Sequence, residues 1–395
     1  MFGDSDKVER VHIAKDKVMK ITDVKLLVLE DPEAKGSGGH SIVRVEGLRR
    51  IQYTHQGRKG GGPLRTSFLE VHTDEGIVAR SNTTMNAYQA EIVRHHAVGR
   101  SPWEREALFQ QLLKGTRWVY QPPGWFGEFD NCLWDILGRA ASLPVYALVG
   151  KVRDRLPVYL TGGDMSLEGY LGHIEQAQQM GIGTYKFHSY KGGKADIAIY
   201  RAVRDAVGPE YGLITDPVCS YDLREAIEVG QVLEELDFVW LEEPMHEQKM
   251  NQYQELCRVL TIPILGTEML MHDIGLTSQW LIQGATDRLR GNARHGTTQV
   301  LKLAHMAEMY GTNIELNGTG GLDGLVHAHL GCCIDNTDFY EFFGGSTDSL
   351  RKMGEGWGLL NAPLIEDGHI APPDGPGWGA QWDEERFRSL VVEEH

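Results

Sequence analysis

Positive charge is in short supply in this chain, since 39 Lys and Arg face 55 Asp and Glu for a formal net charge of −16. Such a balance repels phosphate backbones and anionic lipid surfaces, which argues against nucleic acid and membrane partners. Long apolar runs are missing too. Nowhere do roughly 18 apolar residues follow one another, the length a membrane helix needs. Met1 to Lys17 mixes charges without the apolar centre of a secretion signal. Cysteine is sparse. Cys132, Cys219, Cys257, Cys332 and Cys333 are odd in number and lack C-x-x-C spacing, so they offer no disulfide framework, and a reducing cytoplasmic setting is expected.

What remains is ordinary globular usage, 41% hydrophobic and 24% charged, which excludes a disordered or fibrous chain. The 395 residues suit one large α/β barrel plus a second region, or two to three average domains. Residues 1–18 read as a polar extension, because strand-like sequence starts only near Lys20. Two β-rich runs, Ile21–Leu29 and Phe68–Arg80, follow, the second split by the turn signal Asp74-Glu75-Gly76. Between them, residues 31–63 form a Gly-, His-, Lys- and Arg-rich insertion, expected to be an irregular lid over an anionic substrate. Its Gly60-Gly61-Gly62 run lacks the strand-to-helix context of a phosphate loop, so nucleotide binding is not expected. Ala87–Gly115 and Phe126–Leu148 carry helical periodicity.

After Pro157 the pattern changes. Short apolar runs alternate with amphipathic segments: VYLTGG (158–163), TYKFH (184–188), YGLITD (211–216), FVWLEEP (238–244), IPILGTE (262–268), DRLRGN (287–292), TNIELN (312–317) and DFYEFF (338–343). Intervening helices are expected at Leu167–Met180, Ala195–Val207, Leu223–Glu235 and Thr298–Tyr310. Eight such units argue for a parallel (β/α) barrel of TIM type, with its chemistry at the C-terminal ends of the strands.

Three consecutive runs end in an acid: Asp216, Glu242 and Glu268, each 26 residues after the last. Equal spacing places three carboxylates at one height on adjacent strands. That much like charge calls for a hard divalent cation, and oxygen-only ligation suits Mg²⁺. On the second run, Lys186 and His188 are two apart and share a face. Beside a cation the Lys186 pKa is expected to fall, and His188 titrates near neutrality.

With VHTDEG (71–76), NCLWDILGRAASLPVYALVG (131–150), LEEP (241–244), GTE (266–268) and the tail NAPLIEDGHIAPPDGPGWG (361–379), the sequence resembles the mandelate racemase subgroup of the enolase superfamily from Lys20 to Glu385. The resemblance implies an α+β capping domain from residues 19–150 and 346–395 over a modified barrel at 151–345. It implies Mg²⁺ on Asp216, Glu242 and Glu268, and removal of a proton alpha to a carboxylate by a Lys or His base, the general pattern of that superfamily. A symmetric homo-oligomer is implied as well.

The chain departs from the subgroup at three points. Lys-x-Lys becomes Lys186-x-His188, which makes His188 the position resembling the base and Lys186 its support. The family's His after the seventh strand and Asp after the sixth correspond to Asn317 and Asn292, neither of which takes a proton. Racemisation needs a base on each face of the alpha carbon, so the losses favour dehydration of a sugar acid to a 2-keto-3-deoxy acid. A second acid could come from His295, or from His40 or His55 in the insertion. Glu341 resembles a substrate-contacting carboxylate, or forms an inward salt bridge. Arg288, Arg290 and Arg294 would suit a second anionic group on the substrate, or a solvated basic face. An epimerase, racemase or cycloisomerase, and a non-catalytic metal-binding protein, are the competing readings.

Overall fold

A computed structural model describes residues 18–38, 41–44, 51–54, 58–189, 191–318, 320–344 and 354–395. Strand β1 (Ile21–Gly38) pairs antiparallel with β4 (Arg58–Thr73), which turns back into β5 (Val78–Thr83). Gly76 adopts φ +77° in that turn, a value open to glycine at no steric cost. The sheet is completed by β16 (Val391–Glu394) on the outer side of β1. Both of its faces are covered. Val24, Leu26, Leu69 and Val71 pack against helices α1 (Ala87–Ala97), α2 (Arg105–Val119) and α3 (Gly127–Ala141). Leu27, Leu29 and Phe68 meet Phe387 of the C-terminal helix Glu384–Ser389.

Two sequence expectations change here. The insertion is not irregular throughout: β1 and β4 stay paired out to Gly38 and Arg58, and β2 (Ser41–Arg44) and β3 (Ile51–Thr54) form a hairpin. Backbone pairing overrides a Gly-rich composition once a strand partner is aligned. The two long helical stretches also break. Pro102 opens a short 3₁₀ turn before α2, and Pro144 separates α3 from α4 (Val145–Val149), because the residue before a proline is driven out of the α region.

The barrel has eight parallel strands in sequence order: β6 (Leu156–Gly162), β7 (Thr184–Phe187), β8 (Gly212–Thr215), β9 (Leu241–Glu242), β10 (Ile264–Gly266), β11 (Arg288–Gly291), β12 (Ile314–Leu316) and β13 (Tyr340–Phe343). It closes where β13 pairs with β6, Glu341 opposite Tyr159. Each falls within the run expected for it, give or take two residues. Alternation explains the layering. Tyr159, Ile214, Trp240 and Leu265 fill the interior, while Leu160, Tyr185, Phe187, Leu213 and Leu241 face the helices. A short hairpin, β14 (Ile365–Glu366) and β15 (His369–Ile370), closes over β6.

Helices α5 (Leu167–Gln179), α6 (Gly193–Val207), α7 (Leu223–Glu235), α8 (Met250–Val259), α9 (Ile274–Ile282), α10 (Thr297–Met309) and α11 (Gly321–Cys333) connect the strands. No helix among the described residues is long and apolar enough to cross a membrane.

Helix α3 ties the antiparallel sheet to the barrel. A Cβ at Gly127 would stand 2.2 Å from the His295 carbonyl carbon and 2.3 Å from the Gly296 nitrogen, so only glycine lets α3 touch the loop after β11. Asn131 and Asp130 then cap α10, accepting from the Thr297 N–H at 3.0 Å and the Thr298 N–H at 2.7 Å. The loop carrying Arg294 and His295 is thereby fixed from both sides.

Candidate active site

At the C-terminal ends of the barrel strands a cavity of about 310 Å³ is lined by Lys186, His188, Asp216, Glu243, Glu268, Arg294 and Asn317, with Phe343 at its side. Backbone strain gathers here. Val218, Cys219, Glu243 and Thr267 are non-glycine residues at φ +50°, +57°, +37° and +80°, and such outliers persist where the surroundings over-determine them. The loop that carries Glu268 is pinned by Glu247, whose buried carboxylate accepts from the backbone N–H groups of Thr267, Glu268 and Met269.

At and below the cavity floor two buried cations bind the acids together. Lys186 Nζ lies 2.6 Å from Glu341, 3.1 Å from Glu242 and 3.7 Å from Asp216. Arg290, fully buried, reaches Glu341 at 2.5 Å, Glu242 at 2.8 Å and Glu268 at 3.3 Å. Burial opposes the Lys186 charge, but Glu242 and Glu341 outweigh it and hold the ammonium well above its ordinary pKa. The carboxylates closest to Lys186 pair directly with it and favour its charged form; the lowering expected from the sequence is that beside a bound cation. Burial also works against Glu341. Arg290 and Lys186 overcome it and keep that carboxyl below its ordinary range, while burial pushes Glu242 up to about 7.

His188 is differently held. Its Nδ1 stands 3.1 Å from the Gly162 carbonyl, which only accepts, so Nδ1 carries a proton there; Nε2 faces Asp216 Oδ2 at 3.1 Å. The ring stacks on Phe343 at 6.0 Å between centroids. On the opposite wall Asn292 Nδ2 donates to Asn317 Oδ1 at 3.0 Å, and Asn317 Nδ2 donates to Glu268 at 3.0 Å. The two amides form a relay that steadies Glu268.

The chemistry of the donor set suits a hard cation. Asp216, Glu243 and Glu268 bring carboxylate oxygens to one cavity, and Glu243 Oε1 is buried with no hydrogen-bond partner among the described residues. Burial, then the like charges of Glu268, Glu247 and Asp216, drives the Glu243 carboxyl well above its ordinary range. As they stand, no three acids, histidines or cysteines among the described residues enclose a cation. Glu242 and Glu268 are drawn to Arg290, and Asp216 to His188.

A family model described as enolase C-terminal domain-like matches residues 171–386, more than half of the chain. The chain belongs to the enolase superfamily. Over 365 residues it is 24% identical to a D-galactonate dehydratase family member of Streptomyces bingchenggensis, a match spanning 80% of this chain and 87% of that protein. Over 263 residues it is 27% identical to the arabinonate dehydratase of Saccharolobus solfataricus, spanning 63% of this chain and 67% of that one. The crystal structure of D-glucarate dehydratase from Agrobacterium tumefaciens complexed with magnesium superposes with a TM-score of 0.79 at 26% identity, covering 95% of this chain and 99% of that chain. These relatives are dehydratases by name, and they set this superfamily member among enzymes of the lyase class.

Within the superfamily frame, the sequence-predicted residues separate into three groups. Lys186, His188, Asp216, Glu242, Glu268, Asn292, Asn317 and Glu341 come together at the barrel mouth. His295 does not join them. The 3₁₀ turn Ala293–His295 directs it into a neighbouring chamber beside His272, where burial, then Arg294 and His272, pushes its imidazole down to about 4. His40 and His55 lie outside the described residues. Of the three arginines, Arg288 pairs with Glu315 and Asp338 at 3.0 and 2.8 Å. Sequence reasoning missed Glu243 and Glu247, although both lie in the EEPMHE stretch already singled out for LEEP. It also missed the depth of Arg290, whose only signal is that it alternates with Leu289 toward the barrel interior.

Proposed function

We propose that this enzyme is a Mg²⁺-dependent dehydratase of a sugar acid that yields a 2-keto-3-deoxy acid. One observation carries the reading. Among the described residues lining the 310 Å³ cavity, the only imidazole is that of His188 and the only lysine is Lys186, both from the second strand, while an amide, Asn317, occupies the opposite wall. Abstraction and return of a proton from opposite faces would need a second base, and an amide supplies none. Loss of a β-hydroxyl needs one group that first accepts a proton and then gives it up.

His188 fits that task. The Gly162 carbonyl fixes Nδ1–H, and Nε2, which here faces Asp216 at 3.1 Å, would take the alpha proton once Asp216 turns to the cation. The C–H electron pair moves into the developing enediolate, the β C–O bond breaks, and protonated His188 gives its proton to the departing hydroxyl, which leaves as water. The enol then tautomerises to the 2-keto acid. Lys186, held charged, faces the carboxylate end and stabilises the negative oxygens as they form. Asp216, Glu242 and Glu268, with Glu243 beside them, would hold a Mg²⁺ ion, which would supply Lewis-acid stabilisation of those oxygens.

The test is purified protein with Mg²⁺ against mono- and diacid sugars, with 2-keto product read by semicarbazide absorbance and alpha-proton exchange by NMR in D₂O. Keto product that falls at least about 100-fold in His188→Asn, the scale of a lost general base, is the expected result. Exchange without keto product would replace this reading with an epimerase. Mg²⁺ binding without either signal would leave only a metal-binding protein.

A further inference from the structure

Beyond Arg294 lies a second and larger chamber, of about 520 Å³, between the β5–α1 turn, the α2–α3 loop and the loops after β10 and β11. Arg294 lines both this chamber and the catalytic cavity, so the guanidinium stands at the wall they share.

The ion-pair pattern marks this arginine out. Arg288 and Arg290 are each neutralised by carboxylates. Arg294, alone of the three, has no ion pair among the described residues, and its one side-chain hydrogen bond there is to the amide oxygen of Asn317 at 3.1 Å. In a chain of net charge −16, a cation without a carboxylate partner among the described residues is suited to an anionic ligand. Asp323 is near enough for Arg294 to favour its ionised form, yet forms no ion pair or hydrogen bond with it among the described residues, and its buried Oδ1 has no partner among them.

The chamber beyond also offers donors. Trp125 lines it, and its indole N–H is buried without an acceptor among the described residues. His272, His295 and Gln89 stand around the same space. Its one acid, Glu128, is pushed up to about 7 by burial, so the walls do not strongly repel an anion.

Resting on the dehydratase reading above, we propose that the substrate is a sugar diacid: its reacting carboxylate lies over Lys186, and its distal carboxylate is bound by Arg294 and the Trp125 indole N–H. Arg294 is then a specificity-determining residue. A bidentate guanidinium–carboxylate pair is the geometry that rewards a second acid group over a terminal hydroxymethyl.

The experiment measures binding by calorimetry in the presence of Mg²⁺ for a six-carbon sugar diacid and the corresponding monoacid, alongside turnover of both. Wild-type protein is expected to favour the diacid at least about 10-fold. Arg294→Gln is expected to reduce the diacid-to-monoacid affinity ratio about 10- to 100-fold, the range for a lost charged hydrogen bond, and Trp125→Phe by a smaller factor in the same direction. Thermal melts of both variants report whether each is folded, and the Trp125 variant keeps the proposal testable if Arg294→Gln is not. Equal affinities in wild type, or a ratio unmoved in both variants, overturns the proposal. Turnover of monoacids alone overturns it while leaving the dehydratase intact, whereas no turnover and no binding of any acid removes both.

Discussion

Replacing Glu128 by glutamine separates one buried ionisation from its shape. Glu128 lies in the first turn of α3, 5% exposed, and its Oε1 accepts from the Thr84 N–H at 3.2 Å and hydroxyl at 3.4 Å. Glutamine preserves the volume and that acceptor. Burial raises the carboxyl from 4.5 to about 7. An acid whose pKa is higher folded than unfolded contributes stability that is fully present below the unfolded value and is lost as pH rises through the folded one. The window therefore runs from about pH 4.5 to 7, and a shift of about 2.5 pKa units at 1.36 kcal/mol each makes the loss about 3 kcal/mol. Glu128→Gln carries no such loss. At roughly 2.1 cal/mol/K of unfolding entropy per residue, a chain this long converts about 3 kcal/mol into about 4 °C. Scanning calorimetry is expected to show the variant melting about 4 °C above wild type at pH 8, with the gap closing to under about 1 °C by pH 4.5. A variant that melts below wild type by a growing margin as pH rises would refute the argument, because it would mean that Glu128 is ionised and gripped in the folded protein.

Two further perturbations probe the buried charge networks. Arg290→Met removes the cation shared by Glu242, Glu268 and Glu341 and is expected to cost about 3–5 kcal/mol in denaturant unfolding; a loss under about 1 kcal/mol would show that Lys186 alone neutralises the site. Glu70 takes Arg80 at 2.6 Å, Arg388 at 2.7 Å and His72 at 3.2 Å, which overcome its burial and lower it from 4.5 to about 2. Its contribution, about 3 kcal/mol by linkage, is present above pH 4.5 and lost as pH falls toward 2. Glu70→Gln is expected to loosen the C-terminal helix at neutral pH, read as faster proteolysis after Arg386 or Arg388, and an unchanged cleavage rate would count against that anchoring role.

The barrel was legible because each strand announces itself twice, by a short apolar run and by the polar residue that ends it. Leu213, Leu241 and Ile264 face helices, and Asp216, Glu242 and Glu268 stand at strand ends, so period and spacing carry the same message. The pairing of Lys186 with Glu341 was not legible. They are brought together only when β13 closes onto β6, and no local pattern encodes a contact between the second strand and the eighth. Arg290 was hidden for the same reason: a buried arginine reads as a surface one until its partners on three other strands are known. Residues 31–63 misled because composition describes what a segment does alone, and β1 finds its partner in β4.

The distribution of charge bears on the proposed use of a single histidine. Asp216, Glu242, Glu243, Glu247, Glu268 and Glu341 crowd the strand ends, and the two cations beneath them are not evenly shared. Glu341 and Glu242 take both Lys186 and Arg290, whereas Glu243, which lines the cavity, keeps a buried Oε1 with no partner among the described residues. Lys186 and Arg290 thus serve Glu341 and Glu242 first, and the carboxylate oxygens of Asp216, Glu243 and Glu268 that line the cavity are the donors a hard cation prefers. Lys186 is committed to Glu341 at 2.6 Å, and Glu242 and Glu341 favour its charged form. The role of a second base cannot pass to the opposite wall either, since Asn292 and Asn317 spend their amides on each other and on Glu268. The proposed dehydration accordingly places proton movement on His188, the one imidazole among the described residues lining the cavity.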